Sequence, residues 1–240
     1  MPSVLDLNMT SHASVDAMAD TLAADIEARL AAAIKARGAA SFAVSGGSTP
    51  KPLYQRLSHA DLDWDKVTVV LVDERWVEPG QPGSNEDFVR QTLLQNKAAS
   101  TQFLGLKAAG AKPADGLAEA ESRLTDLPLP LDVTVLGMGN DGHTASWFPH
   151  ATGLSNCLSL DRALLAAVRA EQSEVTGDHL DRITLTRRPI VQSGAIYLML
   201  GGAAKRTTLE AALAGSDIDE MPIRSLLQDD SVPMSIHWAS

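Results

Sequence analysis

Apolar residues recur along the chain with two different spacings, and each spacing predicts one kind of element. Between residues 14 and 37 an apolar residue recurs every three or four positions, which is typical of an amphipathic helix. Ser14 is suited to cap the start of this helix, and Gly38 follows its end. Residues 66–72 (KVTVVLV) are instead almost continuously apolar, which predicts a strand covered on both faces.

The same two patterns predict the other elements. We expect further helices that start near Pro50 and at a cap on Asn85, and helices over 113–124 and 203–214. We expect further strands over 41–44, 103–106, 132–136, 163–168, 182–186, 195–200 and 234–239. The strand over 182–186 is expected nearer an edge of its sheet.

This alternation predicts an α/β fold with a mostly parallel sheet and helices on both faces. The 240 residues, 45% of them hydrophobic, are enough for one α/β domain over residues 1–240. In such folds ligands bind beyond the carboxyl ends of the strands. Four segments follow apolar strands and are therefore expected to meet at one edge of the sheet: 45–49, 73–76, 137–143 and 201–205.

The segment 137–143 (GMGNDGH) has the most distinctive pattern. Glycines after a strand let backbone amides approach a ligand closely, because no Cβ stands in the way. His143 follows Asp141 at once, and an imidazole beside a carboxylate can act as a general base near neutral pH. A tight structural turn with an exposed histidine fits the same residues.

Segment 45–49 (SGGST) offers successive amides and hydroxyls at the start of a helix, which is a ready site for phosphate. A structural glycine turn with Thr49 as the helix cap fits this segment equally well. Lys205 opens the last long helix just after two glycines, so its ammonium is placed to reach the same anion.

Segment 73–76 carries charges where a buried strand ends. The triplet Asp73-Glu74-Arg75 is costly there unless it is paired or lies in a cleft. Arg75 is a candidate for binding phosphate or carboxylate, and the alternative is that it only neutralises its two acidic neighbours.

Composition narrows the possible partners. The net charge of −10, without a basic stripe, argues against nucleic acid, and no apolar run reaches the ~20 residues that span a membrane. The single cysteine, Cys157, excludes an internal disulfide, and with no signal-like start we expect a cytoplasmic protein. No spacing of acidic, histidine or cysteine residues predicts a metal site. Four histidines are expected at the surface: His12, His59, His150 and His179. The sequence does not predict where His237 lies.

Taken together, these segments resemble the 6-phosphogluconolactonases, hydrolases of the oxidative pentose phosphate pathway. The matching stretches are SGGSTPKPLYQRL (45–57), VDERWVEPGQPGSNEDFVRQTLL (72–94), VLGMGNDGHTASWFP (135–149), RITLT (182–186) and GGAAKRTTLEAAL (201–213). The resemblance implies a Rossmann-like fold, a phosphosugar lactone as substrate, and neither cofactor nor metal. Its substrate would be bound by Ser45, Gly46, Gly47, Ser48, Thr49, Asp73, Arg75, Gly139, Arg182 and Lys205.

His143 is the catalytic group that the resemblance implies, with Asp141 orienting its ring in a catalytic or a structural role. The chain departs from the family at 175–182 (VTGDHLDR), where many lactonases carry a Lys-Pro-Pro type sequence. We expect this loop to border the substrate, but its contacts and those of Arg182 are open. We expect a monomer or a weak homodimer.

Two other functions compete with lactone hydrolysis. A glucosamine-6-phosphate deaminase or sugar-phosphate isomerase would use Asp73 as its base. However, such deaminases carry a tyrosine where this chain has Arg75. A non-catalytic sugar-phosphate sensor is the third hypothesis, although the chain has no helix-turn-helix extension and no basic face.

Overall fold

The structure is a computed structural model and describes residues 9–240. Its strands are β1 (Met9–His12), β2 (Ala40–Val44), β3 (Val67–Leu71), β4 (Asp73–Arg75), β5 (Gln102–Leu104), β6 (Val133–Leu136), β7 (Leu165–Arg169), β8 (Asp181–Leu185), β9 (Ala195–Gly201) and β10 (Met234–Ala239). Its helices are α1 (Val15–Arg37), α2 (Lys51–Leu57), α3 (Asn85–Thr92), α4 (Pro113–Arg123), α5 (Leu154–Cys157), α6 (Arg187–Val191), α7 (Ala203–Ala214) and α8 (Arg224–Leu227). Within residues 9–240, no helix is both long and apolar enough to cross a membrane.

A seven-stranded sheet with the order β1-β10-β9-β6-β2-β3-β5 forms the centre of the fold. All of its pairs are parallel, and helices flank it, which confirms the predicted fold class. Strands β2 and β3 are buried along their whole length, as their continuous apolar runs predict. Parallel strands direct their carboxyl ends to one edge, so the segments that follow them meet there.

Helix α1 confirms the predicted cap signals. Ser14 Oγ accepts a hydrogen bond from the backbone N–H of Ala17 at 3.1 Å, and Gly38 ends the helix with φ +79°. The apolar face of α1 is buried and packs on the sheet, where the helix contacts β2, β6 and β10. This packing covers one face of the sheet and shields it from solvent.

A second, antiparallel sheet was not predicted. It has the order β4-β8-β7, and the triplet that follows the buried strand β3, residues 73–75, is itself the short strand β4. Strand β8 is the central strand of this sheet and not near an edge, so that prediction was wrong. Its polar residues Arg182 and Thr184 are buried, although their alternation with apolar residues resembles that of a strand with one face in solvent.

Several local predictions also need correction. Helix α3 is capped by Ser84 and not by Asn85, because Ser84 Oγ accepts the N–H of Asp87 at 3.2 Å. Thr49 does not cap α2, which begins at Lys51 directly after Pro50. Strand β1 is short and polar, carries no apolar signal, and was missed.

Two of the histidines expected at the surface are half-buried. His12 lies against His237, with its Nε2 3.0 Å from Nδ1 of that residue, and His179 packs beside Gly83. His59 and His150 are exposed, as predicted.

Candidate active site

The four predicted segments meet in a cleft of about 290 Å³ at the carboxyl edge of the parallel sheet. Its lining includes every predicted binding residue and His143: Ser45, Gly46, Gly47, Ser48, Thr49, Asp73, Arg75, Gly139, Arg182 and Lys205. Asp141 is the exception, because it reaches the cleft only through its contact with His143. The predicted convergence of the segments is therefore confirmed, while the role of each residue stays a prediction.

The turn after β6 presents His143 to the cleft. The Nδ1 of His143 lies 2.6 Å from Oδ1 of Asp141, and the same oxygen accepts the backbone N–H of His143 at 3.1 Å. The ring also packs against Phe148, with 4.3 Å between the centroids. The two side-chain contacts therefore hold the imidazole in one orientation, and the backbone bond fixes the Asp141 carboxylate beside it.

Gly139 explains why this turn needs a glycine at its centre. A Cβ built on Gly139 would lie 2.1 Å from Nδ1 of His143 and 2.4 Å from Oδ1 of Asp141. Any other residue would push the two side chains apart. The backbone N–H of Gly139 meanwhile donates to the carbonyl of His143 at 2.8 Å, which closes the turn.

The charge of Asp141 determines which ring nitrogen of His143 carries a proton. Burial alone would raise the pKa of the Asp141 carboxyl, but the hydrogen bond and charge of His143 hold this pKa below its ordinary value. Near neutral pH Asp141 is thus a carboxylate, which can only accept hydrogen bonds. Nδ1 of His143 must then be the donor, so Nε2 is the nitrogen that is free to take a proton.

The 45–49 loop packs directly against the side chain of Asn85, the first residue of α3. A Cβ on Gly46 would lie 2.0 Å from Oδ1 of Asn85, so only glycine lets the two segments pack. The hydroxyl of Tyr54 donates to the carbonyl of Ser45 at 2.8 Å and anchors the loop to α2. The loop therefore presents its amides and hydroxyls from a fixed position.

Lys205 lies in the first turn of α7, directly after the glycines 201 and 202. It is half-buried, and burial lowers the pKa of its ammonium, while the charge of Asp141 partly opposes this effect. The ammonium thus lies beside a helix N-terminus, where the macrodipole also favours an anion.

Arg75 and Arg182 lie directly opposite each other on β4 and β8. Arg75 donates from Nη1 to the carbonyl of Gly83 at 2.5 Å, and Arg182 donates to the carbonyls of His179 and Thr176 at 2.6 and 3.1 Å. In residues 9–240, neither guanidinium forms an ion pair. The hypothesis that Arg75 merely neutralises its acidic neighbours is therefore not supported.

Asp73 is buried in the wall of the cleft. Its Oδ2 accepts the hydroxyl of Ser146 at 2.6 Å, and its backbone carbonyl accepts Nδ2 of Asn85 at 3.0 Å. These bonds tie together strand β4, helix α3 and the segment after His143.

Two polar atoms of the lining have no hydrogen-bond partner among the described residues. They are Oγ of Ser45 and Nε of Arg75, both buried. Buried polar atoms are otherwise almost always paired, so these atoms are available to a bound ligand.

Several lining residues were missed, among them Asn85, Val175 and Met199. Asn85 follows a turn far from any strand end, and only its place in the segment SNED offers a signal. Val175 belongs to the loop that departs from the family pattern, and this loop does border the cleft while its carbonyls hold Arg182. Met199 is an apolar residue within a buried strand and carries no sequence signal at all.

With this geometry established, comparisons with known proteins identify the relatives. The family model for glucosamine-6-phosphate isomerases/6-phosphogluconolactonase matches residues 13–238. A 6-phosphogluconolactonase of Rhizobium meliloti (strain 1021) is 44% identical over 235 residues, which cover 98% of this chain and 100% of that relative. The crystal structure of a 6-phosphogluconolactonase from Shewanella baltica OS155 has a TM-score of 0.93 and 41% identity, with 100% of both chains covered.

A monomeric glucosamine-6-phosphate deaminase is also similar in structure. Its TM-score is 0.77 at 16% identity, over 96% of each chain, and this likeness extends to the fold alone. The match of the family model over nearly the whole chain, together with relatives above 40% identity, settles the classification. This chain belongs to the glucosamine-6-phosphate isomerase/6-phosphogluconolactonase family.

Proposed function

We propose that this protein hydrolyses 6-phospho-D-glucono-1,5-lactone to 6-phosphogluconate in the oxidative pentose phosphate pathway. The observation that carries the proposal is the combination found in one cleft. A histidine held by a carboxylate shares that cleft with an amide-rich loop and Lys205, which are suited to a phosphate. A phosphosugar lactone needs both, because its phosphate and its reacting carbonyl lie at opposite ends.

His143 is the general base in this mechanism. Its Nε2 removes a proton from a water molecule, whose oxygen then attacks the lactone carbonyl. The tetrahedral intermediate collapses with cleavage of the bond between the carbonyl carbon and the ring oxygen, and His143 returns the proton to that oxygen. Asp141 keeps the ring in the required tautomer and stabilises its charged form, as carboxylates do in hydrolytic triads.

The two arginines and Lys205 carry the charges that complement substrate and intermediate. Lys205 and the 45–49 loop bind the phosphate, and this remote binding energy orients the carbonyl toward His143. Arg75, with its unpaired Nε, donates to the oxyanion that forms on the carbonyl, and Arg182 lies beside it. An ester this activated requires no metal or cofactor.

We further propose that the chain works as one domain over residues 1–240, as a monomer or weak homodimer in the cytoplasm. Support for one domain comes from the cleft, because its lining is drawn from both sheets and neither sheet alone would complete it. Size-exclusion chromatography at several concentrations tests the oligomeric state.

Acid release from freshly made 6-phospho-D-glucono-1,5-lactone in a pH-stat tests the proposed reaction. We expect release well above the spontaneous rate, since each hydrolysis produces one carboxylic acid. Glucosamine 6-phosphate is the control, and ammonia release from it would support the deaminase alternative instead. Binding of 6-phosphogluconate without any turnover of the lactone would support a sensor.

A further inference from the structure

Glu74 is a buried carboxylate that the proposed mechanism does not use. It is 1% exposed and lies between Asp73 and Arg75 on β4, but its side chain does not line the cleft. Successive residues of a strand point to opposite sides, so Glu74 faces away from the cleft while its two neighbours face it. A charge buried there is costly and needs compensating bonds.

Its compensation comes from four donors. Oε1 of Glu74 accepts the backbone N–H groups of Arg75 at 2.7 Å and of Asn85 at 2.8 Å. Oε2 accepts the N–H of Glu86 at 2.8 Å and the hydroxyl of Ser84 at 3.2 Å. One carboxylate therefore joins the end of β4 to the first turn of α3.

Both segments that Glu74 joins contribute side chains to the cleft. Arg75 lies at the end of β4, and Asn85 opens α3 beside Gly46 of the 45–49 loop. We propose that Glu74 is a positioning residue, whose ionised carboxylate sets the places of Arg75 and Asn85 relative to the substrate. This inference rests on the proposed lactonase function.

The four hydrogen bonds require the ionised form of Glu74, because its carboxylate is the acceptor in each of them. A proton on either oxygen would displace one of these donors. Burial raises the pKa of Glu74 to about 7, with a further contribution from Asp73, although the backbone N–H groups oppose the shift. The charged groups around it are Asp73 and Arg75 on β4, Glu86 on α3 and Arg182 on β8. Substrate binding should therefore weaken as the pH falls through about 7.

The test compares Glu74→Gln with the matched variant Glu121→Gln. Glu121 likewise joins two segments, α4 and the start of β7, because it accepts the N–H groups of Leu164 and Leu165 at 2.6 and 2.9 Å. Unlike the segments that Glu74 joins, it lies outside the cleft. A glutamine at position 74 has an NH₂ group in place of one oxygen. This group faces two donors, so two of the four hydrogen bonds are lost. We expect KM for the lactone to rise about ten- to a hundredfold in Glu74→Gln. In Glu121→Gln, KM should stay within about twofold of the parent value, whatever the loss in Tm.

The pH profile separates positioning from mere stability. In the parent protein KM should rise between pH 8 and 6, and in Glu74→Gln this rise should be absent. If Glu74→Gln fails to fold, Ser84→Ala removes only one of the four donors and should raise KM by a smaller factor. A normal KM and pH profile in the folded variant would overturn the inference, as would an equal rise of KM in Glu121→Gln.

Binding of 6-phosphogluconate, measured by calorimetry, keeps this inference distinct from the proposed reaction. Without lactone hydrolysis by the parent protein, the proposed function fails. Unchanged affinity for 6-phosphogluconate in Glu74→Gln, beside an active parent, contradicts the role of Glu74 alone.

Discussion

The two sheets supply different chemistry to the same cleft. The parallel sheet ends in glycine-rich segments that present backbone amides, the Lys205 ammonium and the His143 ring. The antiparallel sheet supplies the guanidinium groups of Arg75 and Arg182 from directly opposed positions. Like charges opposite each other in a sheet destabilise it, so this pair costs stability, which is consistent with its proposed role in binding an anion.

The surroundings of Arg182 support this distinction. Burial lowers the pKa of its guanidinium to about 10, and the charge of Arg75 adds to this effect while Asp73 and Glu74 oppose it. Its cation also lies 5.2 Å from the centre of the Phe148 ring, and the same ring packs on His143. The small sheet thus brings positive charge next to His143, the proposed base, which the large sheet provides.

The largest effect is expected on the side of the parallel sheet. His143→Ala removes the general base, so kcat should fall roughly 10²–10⁴-fold while the affinity for 6-phosphogluconate changes little. A pH-stat assay with the spontaneous hydrolysis rate subtracted measures the loss. Near-normal turnover would exclude His143 from the mechanism and direct attention to Asp73 or Asp141.

The antiparallel sheet should show its contribution in Arg75→Met. Because Arg75 has no ion pair in the described chain, the variant should fold with a nearly unchanged Tm in the absence of ligand. Its kcat/KM should fall about 10²-fold through loss of oxyanion stabilisation. In thermal melts, 6-phosphogluconate should protect the parent protein much more than the variant.

A different outcome would reverse the interpretation of the small sheet. If Arg75→Met lowers Tm strongly and activity falls only in proportion to the folded fraction, the arginine has a structural role. The conservative variant Arg75→Lys then tests whether the charge alone fulfils that role, since it keeps the charge but not the planar donor set.

Sequence alone was enough for the parallel sheet apart from its short edge strand β1, and insufficient for the antiparallel sheet. Strands β2, β3, β6 and β9 are nearly continuous apolar runs, and in a chain with alternating helices such short runs indicate buried parallel strands. Strand β4 consists of three charged residues, and nothing local distinguishes it from a loop. Its partner β8 buries Arg182 beside the cleft and Thr184 inside the protein, which inverts the usual meaning of alternation.

The candidate site follows the same division. Residues in glycine-rich segments after strands, such as His143 and Lys205, could be proposed from motif and position. Asn85 could not be, because its place depends on tertiary packing against Gly46 and on the buried Glu74. The choice between an ion-pairing and a free Arg75 likewise depends on which groups the tertiary fold brings beside it.

A smaller effect is expected for Lys205→Ala, which tests the anion site of the parallel sheet. The affinity for 6-phosphogluconate should fall about tenfold, because one charged donor to the phosphate is lost. This difference should shrink at high salt, where Coulomb attraction is screened. Turnover of the unphosphorylated lactone should hardly change, and equal losses for both lactones would instead indicate a structural role.

The smallest effect on catalysis is expected outside the lining of the cleft, in a polar cluster between α1 and β10. His237 is 8% exposed, its Nδ1 lies 3.0 Å from Nε2 of His12, and its Nε2 lies 3.0 Å from Oγ of Ser235. Burial lowers the pKa of His237 to about 4, the charge of His12 lowers it further, and that of Asp25 opposes the shift.

The sign of the resulting pH dependence follows from where protons bind. Between pH 6.5 and about 4 the unfolded chain binds a proton at His237 that the folded protein does not. The free energy of unfolding should therefore fall as the pH falls through this window, by at most about 3 kcal/mol. His237→Gln should reduce this loss, measured as Tm against pH, while substitution of the exposed His59 should leave it unchanged. At pH 7 the kcat/KM of His237→Gln should match that of the parent protein, because His237 does not line the cleft. A clear loss of activity in this variant would extend the functional region of the parallel sheet along β10, beyond the lining of the cleft.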